Sequence, residues 1–320
     1  MPPVTAALRR WGAEPVMLDP SEFPGRAALS LQYADGEFGA DWAGMALHGI
    51  SALRGVTALW QNVLVCSPLP AVAPEVRETC VAASERVLIG LLDSLQVFQL
   101  DPYWSKARAD NKPYQLQVAQ ALGLDVPATI ISNDARAVRE FARRRGRVIT
   151  KMLVQPRRTE PGEDGAPIVF TTAMTDDDLA ELDGLDLCPM IFQERVENQR
   201  DVRATIVGRR IFCAAIEGAG RSGGDLDWRR HAFARDEAPQ WLPYELPRAI
   251  SDRLLRLLDH FGLNYGAVDL IVRPDGRHVF LELNASGSFV FLGEPHVAAI
   301  ADAIAEVLVD PGARRVAGGR

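Results

Sequence analysis

The sequence predicts an α+β protein in which small sheet lobes close over a cleft. Strands, helices and hairpins alternate too irregularly along the chain for a doubly wound sheet. Apolar strands return through turns rich in glycine and proline, and longer helices with an apolar stripe lie between them. The 320 residues are enough for two or three such lobes with a substantial core.

The composition is that of an ordinary globular protein, with 48% hydrophobic and 24% charged residues and a net charge of −7. This charge gives no reason to expect a nucleic acid or an anionic membrane as a partner. The four cysteines are scattered without a CxxC pair, which indicates reduced core thiols rather than disulfides or a zinc site. No stretch approaches about 18 uncharged apolar residues. We therefore expect a soluble, cytoplasmic protein.

We expect three lobes and a short tail. Residues 1–97 form the N-terminal lobe, 98–188 the central one and 189–312 the C-terminal one, and residues 313–320 are disordered. The first lobe opens on a helix where an α/β lobe usually has a strand, so either that strand is absent or the true start lies upstream. The predicted elements of the first lobe are a helix over 5–11, a strand over 15–18 and a helix over 74–95 that begins at a proline.

The central lobe is predicted to start after a linker at 98–102. Its elements are helices over 105–122, 135–145 and 176–182 and strands over 126–132, 147–154 and 168–174. Gly123 closes the first helix, and Asn133-Asp134 provides the N-cap of the second. Residues 155–167, which have no periodicity, form a mobile loop of the kind that could cover a triphosphate. The C-terminal lobe has strands and two helices, over 247–261 and 296–308.

A metal site is predicted on a hairpin near the end of the chain. The strand VDLIV carries Asp269, a Pro-Asp-Gly turn reverses the chain, and HVFLELN returns with Glu282 and Asn284. Side chains two residues apart on a strand share a face, and the hairpin can bring Asp269 beside them. Two carboxylates and an amide are hard oxygen donors that suit Mg²⁺ or Mn²⁺. The alternative is a solvent-facing hairpin whose acids have no role.

Two lysines and one strand end are candidates for holding a nucleotide. Lys112 opens the central lobe, and Lys151 lies within an apolar strand, where it points either to solvent or into the cleft. A strand that ends at Gln193 and Glu194 offers backbone groups able to read an adenine edge. Farther on, Asp201 could take ribose hydroxyls and Arg203 could bind phosphate oxygens. The alternative is that Asp201 and Arg203 simply pair on one face of the strand.

Taken together, these motifs resemble the ATP-grasp superfamily. They are NK at 111–112, TK at 150–151, FQERVE…DVR within 192–203, and Asp269 with LELN at 281–284. The chain is most similar to the graspetide (microviridin-type) peptide ligases, through residues 111–134, DWRRH at 227–231, and 265–287. The resemblance covers nearly the whole chain from Thr5. It implies an ATP-grasp fold, an N-terminal α/β lobe followed by two α+β subdomains that clasp ATP.

The resemblance also implies roles for single residues. Lys112 and Lys151 would contact phosphates and adenine; Gln193, Glu194 and Val196 would line the adenine pocket; Asp201 would bind ribose; Arg203 would stabilise the acyl-phosphate step; and Asp269, Glu282 and Asn284 would hold Mg²⁺ or Mn²⁺. We add Arg229 as a candidate for gripping a peptide carboxylate. The chain departs from the family at 285–289, where ASGSF replaces the usual P-x-G-Q-W. This departure lies on the acceptor side of the site.

The predicted function is that of an ATP-dependent ligase. It would activate side-chain carboxylates of a ribosomally made precursor peptide as acyl phosphates and close them onto hydroxyls or amines. The alternatives are a ligase that adds amino acids to a protein or small peptide, a phosphotransferase, and a non-catalytic nucleotide-gated peptide-binding protein. The expected partner is the precursor peptide, and a homodimer is left open.

Overall fold

A computed structural model describes residues 2–34, 37–43, 55–62, 64–154, 171–217 and 240–315. The helices run over α1 (Pro2–Arg10), α2 (Pro74–Ser94), α3 (Tyr103–Ala109), α4 (Lys112–Ala121), α5 (Ala135–Arg145), α6 (Asp176–Ala180), α7 (Arg248–Phe261) and α8 (His296–Val309). The strands run over β1 (Ala28–Ala34), β2 (Glu37–Ala43), β3 (Ala58–Trp60), β4 (Phe98–Leu100), β5 (Thr129–Ser132), β6 (Val148–Lys151), β7 (Thr172–Ala173), β8 (Met190–Glu194), β9 (Arg200–Val207), β10 (Arg210–Glu217), β11 (Leu242–Pro243), β12 (Tyr265–Val272) and β13 (His278–Asn284). The predicted α+β class is confirmed.

The N-terminal lobe corrects two predictions. Residues 15–18, expected to be a strand, have no regular secondary structure, because no described strand pairs with them. Residues 98–102, expected to be a linker, contain β4, which pairs in parallel with β3. Leu100 is buried there in an apolar cluster with residues of α1 and α8. The sequence of β4 is too short to show alternation, so its strand character depends on this distant partner.

The central lobe is an antiparallel sheet in the order β5-β8-β6-β7. α5 covers one face, where Val138 and Phe141 pack against Phe192. As predicted, Asp134 caps α5, and its carboxylate accepts hydrogen bonds from the backbone of Arg136 and Ala137. The boundary expected at 188 precedes β8, which pairs within this sheet. The predicted loop at 155–167 lies outside the described residues.

The helix expected over 105–122 is two helices, α3 and α4. The chain breaks at Asp110 and restarts at Asn111, whose side chain accepts the backbone N–H of Tyr114 at 3.1 Å. Pro113 fits the first turn of a new helix but would break the interior of a continuous one. Gly123 follows α4 with a φ of 79°, so the predicted stop is confirmed.

The C-terminal lobe is a five-stranded antiparallel sheet in the order β11-β10-β9-β12-β13. Leu254, Leu257 and Leu258 of α7 pack on one face. α8 packs on part of the other face, where Ile300 and Ile304 join a second cluster. The remainder of that second face carries the polar residues of the predicted site.

The first and last described residues of the chain both make tertiary contacts. α1 packs against α8. Beyond α8, Arg314 lies over the ring of Phe98 and Arg315 forms an ion pair with Asp259. The tail expected to be disordered from 313 is therefore bonded as far as Arg315, and residues 316–320 are outside the described ranges. No helix in the described ranges is both long enough and apolar enough to span a bilayer.

Candidate active site

A row of three charged side chains crosses the C-terminal sheet. Asp269 on β12 stands directly opposite Arg203 on β9 and directly opposite Glu282 on β13. Cross-strand partners point to the same face, so the three side chains form one line over the sheet. The β-register shifts immediately after Asp269, which marks the site with a local irregularity. The hairpin therefore brings Asp269 beside Glu282, as the strand pattern predicted.

Asn284 joins the two carboxylates. Its side-chain amide lies 3.2 Å from Asp269 Oδ2 and 3.3 Å from Glu282 Oε1. Rotating this amide by half a turn would present its oxygen alongside the carboxylate oxygens. The described residues contain no cluster of three His, Cys, Asp or Glu side chains able to hold a metal ion. Two carboxylates and one amide nevertheless fit a small hard cation that keeps water and phosphate as its other ligands.

Arg203 is the cationic end of the row and is almost fully buried. Its Nη1 donates to Asp269 Oδ1 at 2.7 Å and its Nη2 to the backbone carbonyl of Ser288 at 2.9 Å. The guanidinium carbon lies 5.5 Å from the centre of the Phe291 ring. Arg203 thus pairs across strands with Asp269, while Asp201 accepts a hydrogen bond from Asn198 at 3.0 Å.

Two lysines of the central lobe act on Glu282 from across the cleft. Lys112 forms an ion pair with Glu282, and the charge of Lys151 also bears on it. Burial alone would raise the pKa of Glu282, but the two ammonium groups hold it at about 2. Glu282 is therefore ionised at neutral pH. The sequence leaves open whether Lys151 points to solvent or into the cleft. Its effect on the pKa of Glu282 indicates that it points into the cleft.

The start of α4 is attached to the free edge of the C-terminal sheet. Gln115, which is 1% exposed, donates to the carbonyl of Leu283 at 2.8 Å and accepts the N–H of the same residue at 2.8 Å. Asp110 accepts the N–H of Ala285 at 3.1 Å. Burial raises the pKa of Asp110 although this N–H and nearby lysines oppose the rise. These two contacts bracket Lys112 and fix it opposite Glu282.

Sequence reasoning missed Asp110 and Gln115. The sequence pattern predicts one continuous helix over 105–122, in which neither residue stands out. Their role depends on the helix break at Asp110 and on an edge strand about 170 residues away. The Asn111–Pro113 pair is the signal that could have revealed the break.

The remaining nucleotide candidates lie on the central sheet and at the start of β9. Gln193 is buried and donates to Thr129 Oγ1 at 2.9 Å. It stands opposite Ile149, two residues from Lys151, so Gln193 and Lys151 share a face. Glu194 ends β8, and its N–H donates to the carbonyl of Ala128 at 2.9 Å. Val196 follows this strand end, and Asp201 shares a face of β9 with Arg203.

One predicted site residue cannot be placed. Arg229, the candidate for gripping a peptide carboxylate, lies with His231 outside the described residues. The site as described therefore consists of the charged row, the two lysines facing it and the strand end of the central sheet.

Comparison with known proteins gives matches among solved structures. No protein-family model matches the chain, and no curated protein matches it. The macrocyclase MdnC from Microcystis aeruginosa MRC, solved with its precursor peptide MdnA, is 36% identical over 96% of this chain and 95% of its own, with a TM-score of 0.83. A RiPP-associated ATP-grasp ligase from Chryseobacterium gregarium, solved with ADP and a leader and core peptide, is 28% identical over 98% and 94%, with a TM-score of 0.84. The macrocyclase MdnB from Microcystis aeruginosa MRC is 28% identical over 96% and 94%, with a TM-score of 0.77.

Proposed function

This chain belongs to the ATP-grasp macrocyclases that modify RiPP precursor peptides, and on that premise we propose that it is an ATP-dependent ligase closing rings in such a peptide. The family and the ATP-grasp fold agree with those predicted from the motifs. The observation that carries the proposal is the row Arg203–Asp269–Glu282, faced across the cleft by two lysines. Two adjacent carboxylates lie there between cationic side chains, an arrangement suited to holding a cation and the phosphates of a nucleotide.

The reaction needs activation because a carboxylate is a poor electrophile at neutral pH. The γ-phosphoryl group of ATP passes to an oxygen of a peptide side-chain carboxylate, which gives an acyl phosphate and ADP. A side-chain hydroxyl or amine then attacks the acyl carbon and loses its proton, and phosphate leaves. The net change in the peptide is the loss of one water for each ester or amide formed.

The role of each side chain except Arg229 follows the one that the family resemblance implies. Asp269, Glu282 and Asn284 would hold Mg²⁺ or Mn²⁺; Lys112 and Lys151 would bind ATP phosphates; Gln193, Glu194 and Val196 would line the adenine pocket; Asp201 would bind ribose; and Arg203 and Arg229 would grip the acyl phosphate and the peptide carboxylate. When bound, the cation would neutralise phosphate oxygens. Support for this assignment comes from Glu282, whose carboxylate faces the ammonium groups of Lys112 and Lys151. A bound cation could take the place of these ammonium groups beside Glu282, and the phosphates could take the place of Glu282 beside the lysines.

We also propose a cytoplasmic location. The four cysteines are all free thiols, and Cys66 and Cys213 have pKa values raised by burial to about 11 and about 12. Protonated core thiols of this kind are typical of proteins kept in a reducing compartment.

Mass spectrometry of a candidate precursor tests the function. The purified chain is incubated with ATP, Mg²⁺ and a short peptide encoded beside it, and we expect products that have lost one water per linkage, with one ADP released for each. An added phosphate mass would indicate a phosphotransferase, and an added residue mass an amino-acid ligase. An unchanged mass with several such peptides would overturn the proposal.

Arg203→Ala sharpens the same assay. We expect this variant to bind ATP but not to dehydrate the peptide, because the charge that stabilises the acyl-phosphate step is lost. Arg210→Ala is the matched control, since Arg210 forms a surface ion pair with Glu306 at 3.1 Å. It should behave as the wild type.

A further inference from the structure

We infer that Tyr265 is a positioning residue for Arg203, acting through the turn that follows the metal-binding hairpin. The inference rests on the proposed function for the role of Arg203. It goes beyond that function by naming a side chain to which no nucleotide or metal role is assigned and whose hydroxyl bonds to the backbone of the turn. The turn consists of residues 284–288, which include most of the segment that departs from the family pattern.

Two hydrogen bonds to neighbouring carbonyls connect Tyr265 with Arg203, and a third bond closes the turn between them. The hydroxyl of Tyr265 donates to the carbonyl of Gly287 at 2.5 Å. The N–H of Gly287 donates back to the carbonyl of Asn284 at 3.1 Å, which closes the turn. The next carbonyl, that of Ser288, accepts from Arg203 Nη2 at 2.9 Å. The carbonyl bonded by the tyrosine hydroxyl and the carbonyl bonded by the guanidinium thus belong to successive residues of the turn.

The turn packs closely against Arg203 and leaves no room for a side chain at Gly287. A Cβ atom built on Gly287 would lie 2.7 Å from Arg203 Nη2 and 2.6 Å from the Cβ of Ala267. Ala267 lies between Tyr265 and Asp269 on the same face of β12. Tyr265, the turn and the Arg203–Asp269 pair are thus one packed unit, in which the position of the turn sets that of the guanidinium.

Tyr265 itself is held firmly at its base. It is 2% exposed, and its backbone N–H donates to Asp101 Oδ2 at 2.8 Å. The neighbouring N–H of Asn264 donates to Asp101 Oδ1 at 2.9 Å. Asp101 follows β4 directly and is 1% exposed. Because the backbone is fixed at one end, the hydroxyl at the other end can hold the turn in place.

Removing the hydroxyl isolates its contribution. Tyr265→Phe keeps the buried ring and leaves the carbonyl of Gly287 without this donor. Arg203 would still contact Asp269 and Phe291, but the Ser288 carbonyl to which it donates would no longer be held in place by the tyrosine. We expect the rate of peptide dehydration to fall by about tenfold to 100-fold, the scale for a small misplacement of a catalytic group. The affinity for ATP should stay close to that of the wild type, because Tyr265 lies on β12 of the C-terminal sheet, whereas both lysines belong to the central lobe.

A double-mutant cycle separates positioning from general destabilisation. Tyr265→Phe is measured in the wild type and in an Arg203→Lys background, where the Ser288 contact is already changed. If Tyr265 acts through Arg203, its effect on dehydration should nearly vanish in that background. Tyr244→Phe is the matched control, because the Tyr244 hydroxyl lies 2.8 Å from His278 Nε2 on the same lobe. It should lose similar stability but keep its dehydration rate.

A spectroscopic readout makes the test independent of the peptide. In protein labelled with ¹⁵N-arginine, the Nε–H signal of Arg203 is identified by its loss in Arg203→Lys. We expect this buried N–H to exchange faster with water in Tyr265→Phe and to be unchanged in Tyr244→Phe. An unchanged exchange rate, or equal effects of Tyr265→Phe in both backgrounds, would overturn the inference. A wild type that dehydrates no peptide would instead overturn the proposed function.

Discussion

Lys112 and Glu282 form an ion pair across the cleft, although 170 positions separate them in the chain. The lysine begins α4 of the central lobe, and the glutamate lies on the edge strand of the C-terminal sheet. Each side chain is about one-fifth exposed, so the pair is only partly screened by water. Binding of a metal–nucleotide complex would exchange this pair for two others, the lysine with phosphate and the glutamate with the cation.

Removing either lysine should weaken ATP binding. We expect Lys112→Ala and Lys151→Ala each to cost about 2 kcal/mol, the scale for losing a charge-assisted contact to a partly buried anion. Calorimetric titration with ATP and Mg²⁺ measures the change. Arg108→Ala removes a nearby exposed cation that bonds to the hydroxyl of Tyr114 and should bind ATP normally. Wild-type affinity in both lysine variants would contradict their placement at the phosphates.

Neutralising Glu282 should abolish turnover while leaving the fold intact. Glu282→Gln keeps the size of the side chain but removes a charge from the proposed metal site. We expect ADP release to fall by about 100-fold or more, because a bound cation contributes several kcal/mol to the transition state. Glu306→Gln, which alters only the surface pair with Arg210, is the control. Full activity of Glu282→Gln would exclude the metal assignment.

A methyl group at Gly287 should disturb both stability and activity. Its Cβ would come within 2.6 Å of Ala267 and 2.7 Å of Arg203. Overpacking of this kind costs about 1–3 kcal/mol, so Gly287→Ala should unfold at lower urea and dehydrate the peptide more slowly.

Gly90→Ala provides the opposite case. Gly90 lies within α2, and a Cβ there meets nothing within 4 Å. Replacing glycine by alanine in a helix interior should stabilise the protein by about 0.5–1 kcal/mol. Equal urea midpoints for Gly287→Ala and Gly90→Ala would show that the turn is looser than the distances indicate.

Asp101 should make stability depend on pH. Burial raises its pKa from 3.8 to about 7, although the N–H groups of Asn264 and Tyr265 and the charge of Lys106 oppose the rise. Between about pH 4 and pH 7 the folded state keeps a proton that the unfolded chain has released. The contribution of Asp101 to the free energy of unfolding is therefore full below pH 4 and is lost as the pH rises through 7.

Lys106 does not obscure this window. Burial lowers its pKa from 10.5 to about 8, so Lys106 is mainly protonated in both states below pH 7. Asp101→Asn removes the titrating group. We measure the free energy of unfolding in urea for the wild type and for this variant, and subtract the value of the variant from that of the wild type. We expect this difference to decrease as the pH rises from about 4 to about 7. A constant difference would mean that Asp101 titrates alike in both states.

The local features of the site were predictable from sequence, and the distant ones were not. Asp269, Glu282 and Asn284 lie on one hairpin, where strand alternation and a turn suffice to bring them together. The N-cap at Asp134 and the helix stop at Gly123 were predictable for the same reason, because capping depends on a few adjacent residues.

Other elements depend on partners far along the chain. The strand β4 forms because β3 pairs with it. Residues 15–18 were predicted to be a strand but form none, because no described strand pairs with them. No sequence pattern singles out Tyr265. Its link to Gly287 comes from a turn about 20 residues away, which no periodicity reveals.

The contacts of β13 limit how a peptide can approach this protein. β13 is the outer strand of its sheet, and exposed outer strands attract other chains as additional strands. Here several outward backbone groups are already bonded. Gln115 bonds both the N–H and the carbonyl of Leu283, and the carbonyl of Asp125 accepts the N–H of Phe280 at 2.7 Å. Just beyond the strand, Asp110 accepts the N–H of Ala285. A peptide cannot extend the sheet at this border without displacing α4 and, with it, Lys112. On the proposed function, we therefore expect a peptide substrate to reach the carboxylates from above the sheet rather than by pairing with β13.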